Sequence, residues 1–111
     1  MAADVAPGAV LIRSRDPELQ LQGLRTALSL SMGDRPATVF LAGDGAAVLQ
    51  QSAGSEAGQN LEALGQAGVA IVAERQAPAL DTGHPTPPGV HLMAREKIME
   101  RVASAEFQQT F

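Results

Sequence analysis

This chain of 111 residues contains no cysteine, no tryptophan and no tyrosine, and only three phenylalanines. Without cysteine there is no disulfide framework, no thiolate metal site, no Cys nucleophile and no persulfide carried on this polypeptide. Without Trp or Tyr, and with so few Phe, a stacking platform for single-stranded nucleic acid is not expected. Basic residues are scarce as well. Eight Lys and Arg stand against twelve Asp and Glu, for a net charge of −4, which argues against a binder of phosphate backbones. No apolar run approaches the ~18–20 residues of a membrane-spanning helix. The opening residues, Met1 to Gly8, lack the basic and apolar segments of a secretion signal, and Arg13 and Arg15 interrupt the first apolar run. These absences lead us to expect a cytoplasmic protein with neither nucleic acid nor membrane as partner.

What is present is 45% apolar sequence in a length suited to one domain spanning 1–111. The first apolar run, Ala9-Val10-Leu11-Ile12, is continuous rather than alternating, as in a strand covered on both faces of a parallel sheet. Asp16-Pro17-Glu18 then offers a cap, a proline at the first helical position and an acid near the positive end of the helix dipole. Leu21, Leu24, Ala27 and Leu28 follow at helical spacing, and Met32-Gly33-Asp34 closes the helix. A second strand is predicted over Pro36 to Ala42. Gly43-Asp44-Gly45 makes the turn after it, with Asp44 capping a helix over Ala46 to Leu49. Residues 52–60 are small, polar and rich in Gly, and read as a break before a helix that Asn60 caps and that stops at Gly65 or Gly68.

A third buried strand is predicted over Val69 to Ala73. Residues 74–89 hold four of the seven prolines and read as a long loop, with Gly89 to Leu92 a short fourth strand. The last helix runs from Ala94 to about Ala105 with Ile98 and Val102 inward, and the chain ends in a short strand over Glu106 to Phe111. Strands alternating with helices predict an α/β fold. We expect a three-layer sandwich with a mainly parallel sheet of about four or five strands and a thin, alanine-rich core.

In an open α/β sheet, ligands bind beyond the carboxyl ends of the strands. Three segments converge there: Arg13-Ser14-Arg15-Asp16, Gly43-Asp44-Gly45 and Glu74-Arg75-Gln76. The candidate ligand-binding residues are therefore Arg13, Ser14, Arg15, Gly43, Asp44, Gly45, Glu74 and Arg75, suited to a small polar or anionic ligand at helix starts. The plainer account has Asp16 and Asp44 as caps, the glycines as turn residues and the arginines as solvated or paired with acids. Val48 stands where a dinucleotide fingerprint needs its third glycine. His84 and His91, with Asp81 or Glu74, lack a metal-ligand spacing, and no serine lies in a nucleophile elbow. No catalytic residue, metal or cofactor is expected from these patterns.

The run Val10-Leu11-Ile12-Arg13-Ser14, the leucine-rich helix after it, and Thr38-Val39-Phe40-Leu41-Ala42-Gly43-Asp44-Gly45 resemble the DsrE/DsrF-like family, with its apolar first strand and "TVFxxxDG" segment. The closing helix and short terminal strand ending in Phe111 are similar too. The resemblance implies a small, commonly oligomeric α/β sandwich acting in sulfur relay or related roles. Carrier members present a cysteine on a loop after a central strand. The corresponding place here is Glu74-Arg75-Gln76 with the proline-rich loop beyond it, and it holds no thiol. Persulfide chemistry needs a sulfur nucleophile. The expectation is thus a non-catalytic relative, a homo-oligomer or a hetero-oligomer with related subunits, that works as a structural or partner-binding subunit. The alternative is a protein or enzyme binding a small anionic ligand at the strand ends.

Overall fold

The computed structural model describes residues 6–33, 35–51, 54–75, 77 and 87–111. Five strands form one sheet: β1 (Gly8–Ile12), β2 (Ala37–Leu41), β3 (Ile71–Glu74), β4 (Val90–Met93) and β5 (Phe107–Thr110). Their order is β4-β3-β2-β1-β5, and every neighbouring pair is parallel. Parallel neighbours require a crossover between them, and three α-helices lie on those crossovers: α1 (Pro17–Ser31), α2 (Glu56–Gln66) and α3 (Arg95–Ala103). The α/β sandwich expected from the alternating pattern is the fold observed. Among the described residues, no helix is long and apolar enough to cross a membrane.

The continuous apolar runs are explained by burial on both faces. In β1, alternate residues divide between two clusters. Val10 and Ile12 join Leu24 and Ala27 of α1, Leu64 of α2, and Val39, Leu41, Ile71 and Ala73 of the neighbouring strands. Ala9 and Leu11 point the other way, to Phe40, Val72 and the α3 residues Ile98 and Val102. Leu24, Leu64 and Ile98 are each fully buried, and a side chain of this size contributes about 1.5–3 kcal/mol on leaving water. Small residues such as Ala27, Ala37, Ala46 and Ala73 fill the rest of the first cluster, so the layers approach closely.

The two faces are unequally covered. Five strands about 4.8 Å apart make a sheet about 19 Å wide, whereas a helix with its side chains is about 10 Å across. The first face carries α1 and α2, which pack on each other and are joined at the surface by the Arg25–Glu56 ion pair. Among the described residues, the second face carries one helix, the nine-residue α3.

Several local expectations need correcting. Asp16 does cap α1, its Oδ1 accepting from the Glu18 N–H at 3.0 Å. The buried face of that helix is Gln20, Gly23, Leu24 and Ala27, while Leu21 and Leu28 are half-buried at its border. Asp44 is not a cap. It lies in the first turn of a 3-10 helix over Gly43–Gln50 whose N-cap is Ala42, with no side-chain cap bond. Asn60 is likewise inside α2, which begins at Glu56 because Ser55 accepts from the Gly58 N–H at 3.0 Å. An effective cap outweighs the low helix propensity of Gly58. The helix stops at Gln66, ahead of Gly68, where φ is +80° and the chain turns toward β3. Of the proline-rich loop, residues 76 and 78–86 lie outside the described residues, as do Ser52 and Ala53.

Candidate functional site

The route of the chain decides where its carboxyl strand ends are open. After β1 and β2 the chain turns onto the first face, into α1 and α2, and Ala77 beyond β3 is buried in that face's cluster. After β4 it turns onto the second face, into α3. Between those diverging paths lies a cleft of about 250 Å³, backed by Ala42 and lined by Arg13, Gly43, Asp44, Glu74, Arg95 and Met99. This is the crevice that strand ends in an open parallel sheet create where successive connections leave in opposite directions.

Two-residue alternation supplies the lining. Leu11, Phe40, Ala42 and Val72 face the second side, and the next positions in the same phase are Arg13 beyond β1 and Glu74 at the end of β3. Glu74 is 8% exposed. Its Oε1 accepts from the Gly43 N–H at 3.3 Å, which ties the end of β3 to the turn after β2. Arg95 is the first residue of α3, and Ala94 before it supplies no capping side chain.

Gly45 sets the depth of the turn. Its N–H donates to the Ala42 carbonyl at 3.0 Å, while the Ala42 N–H donates to the Ile12 carbonyl at 3.0 Å. A Cβ on residue 45 would collide with that Ile12 carbonyl, so only glycine lets the 3-10 helix start against the end of β1. Gln20 braces the same region from α1. It is 3% exposed, and its Nε2 donates to the carbonyls of Ser14 at 2.9 Å and Asp44 at 3.4 Å. A buried amide bonded to both loops holds them in one register.

Of the eight residues named from sequence, the cleft gathers Arg13, Gly43, Asp44 and Glu74. The other four serve beside it. The Ser14 Oγ accepts from the Asp16 N–H at 3.0 Å, Arg15 is exposed, Gly45 is the close-approach point, and the Arg75 Nη2 donates to the Leu92 carbonyl at 3.4 Å. Sequence reasoning missed Arg95, Met99 and Gln20. Arg95 was legible in principle, since a helix following a parallel strand begins at the carboxyl edge. His91 is exposed on β4 and lines a different groove, and His84 and Asp81 lie outside the described residues. Among the described residues, no cluster of three potential metal ligands occurs.

That other groove, of about 520 Å³, lies beside α3 on the second face and is open among the described residues. Its floor includes Thr38, Phe40, Ala70 and Val72, and its rim carries His91, Arg101 and Glu106.

No family model matches this chain. No curated protein matches it either. Among solved structures, the chain is similar to the crystal structure of the ychN protein from E. coli, at 20% identity and a TM-score of 0.74. The match covers 94% of this chain and 98% of the other. At that identity the likeness is one of fold alone.

Proposed function

We propose that this chain is a cysteine-less DsrE-like protein that acts as an assembling, partner-binding subunit and is not itself a persulfide carrier. The observation that carries this reading is the groove beside α3 on the second face of the sheet, open among the described residues. One helix about 10 Å wide lies over about 19 Å of sheet, and among the described residues the groove beside it is floored by half-buried Thr38 and Ala70 next to buried Phe40 and Val72. The occupant that fits is a second copy of this chain. Arg101 and Glu106 stand on the rim of one and the same groove, and a two-fold arrangement sets each against the other's counterpart. The adjoining edge strand, Val90-His91-Leu92-Met93, has no Lys, Asp, Glu or Pro to keep another chain away, and Leu92 is exposed. The absence of any sulfur nucleophile supports the second half of the reading.

Light scattering during size-exclusion chromatography tests the assembly. The expected result is a mass above that of one chain at micromolar concentration. Thr38→Arg, which puts a charge on the half-buried groove floor outside both core clusters, should yield monomers with an unchanged circular dichroism spectrum. A wild-type protein that is strictly monomeric refutes the assembly, and a Thr38→Arg protein that stays assembled refutes the choice of face.

A further inference from the structure

The cleft at the strand ends has a charge pattern that self-assembly does not use. Its lining carries two guanidinium groups, Arg13 and Arg95, and two carboxylates, Asp44 and Glu74. Opposite charges sharing so small a space ordinarily pair, yet among the described residues neither Arg13 nor Arg95 forms an ion pair. Glu74 is buried as a residue, and among the described residues one oxygen of its carboxylate is bonded. Its Oε1 accepts from Gly43, while Oε2 accepts no hydrogen bond from any described residue. The amino end of α3 at Arg95 adds backbone N–H groups that Ala94 does not cap.

We propose that this cleft binds a small zwitterionic amino acid. Arg13, Arg95 and the amino end of α3 hold its carboxylate, and Glu74 accepts from its ammonium group. Charge-assisted bonds at both ends suit a molecule that carries both signs, and such a ligand leaves the lining's balance of two positive and two negative groups unchanged. Size restricts it further. About 250 Å³ lies below the ~300–1,000 Å³ of sites for drug-sized molecules, so the side chain must be short. Met99 and Ala42 supply an apolar wall for it. The site is separate from the groove beside α3, so loss of assembly and loss of ligand are distinguishable.

Amide chemical-shift titration of the whole chain, with glycine, L-alanine and L-serine as probes and acetate and ethylamine as one-ended controls, tests the proposal. The expected result is saturable movement of the Gly43, Asp44 and Arg95 signals at millimolar concentration with at least one amino acid. Acetate and ethylamine should each bind weaker by about tenfold or more. Arg13→Gln and Arg95→Gln, both at exposed positions, should weaken binding by about tenfold, and Glu74→Gln should narrow the preference for the amino acid over acetate. Arg15→Gln, outside the cleft, should leave binding unchanged, as should Thr38→Arg. No response to any of the three amino acids overturns the proposal. So does acetate binding as tightly as the best of them, or wild-type affinity in both Arg13→Gln and Arg95→Gln.

Discussion

Gly45→Ala tests how the cleft is built. A Cβ at this position overlaps the carbonyl of Ile12 and stands 3.0 Å from the Arg13 Cα. These are backbone atoms at the end of a strand paired on both sides, by β2 and by β5. No rotamer change can relieve the overlap, so the 3-10 helix must move away from β1. Overpacking of this kind costs about 1–3 kcal/mol. The shift also weakens the bond from the Gly45 N–H to Ala42, and that from Gln20 to Asp44, at about 1 kcal/mol for a typical bond. The total is about 2–4 kcal/mol, a large part of the ~5–15 kcal/mol available to a native domain. For a chain of this length that corresponds to a fall in Tm of about 10–20 °C. Thermal melts followed by circular dichroism, with urea unfolding in parallel, measure it; the urea midpoint should fall while the m-value stays constant. Gly65→Ala is the matched control. Residue 65 lies within α2, a Cβ there meets nothing within 4 Å, and the change should stabilise by up to about 1 kcal/mol. A Gly45→Ala protein melting within about 3 °C of wild type would refute the close approach on which the cleft's geometry rests.

Three further outcomes rest on individual contacts. Ile98→Ala removes the fully buried anchor of α3 against Leu11, Phe40 and Val72, and should cost about 2–5 kcal/mol by chemical denaturation. Asp16→Ala removes the acceptor for the Glu18 N–H and should cost about 0.5–2 kcal/mol by the same assay. Glu56→Gln breaks the ion pair with Arg25, whose side chains are about half exposed, so it should change stability by less than about 1 kcal/mol and less still at high salt.

The three central strands were legible because burial on both faces leaves an unmistakable trace, a continuous apolar run such as Val10-Leu11-Ile12, and α1 because Asp16-Pro17-Glu18 is a local start signal. The start of α2 was obscured. Gly54 and Gly58 suggest a break, whereas the decisive bond, from the Gly58 N–H to Ser55, is made only once the turn is formed. Gln20 was hidden for a related reason. A polar residue on a helix facing the core looks out of place until the two loop carbonyls it satisfies are brought over it.

Sequence alone determined the layer architecture, the absence of a thiol and the presence of Arg13, Asp44 and Glu74 near one rim, because periodicity and chain order are local properties. Tertiary structure alone decided that Met99 completes that rim, that Arg15 and Arg75 stay outside it, and that a groove beside α3 is left open by the described residues. Those outcomes depend on which face each crossover takes and on the width of a sheet against that of one helix. Both are distances between segments far apart in the chain, and no local pattern of residues encodes them.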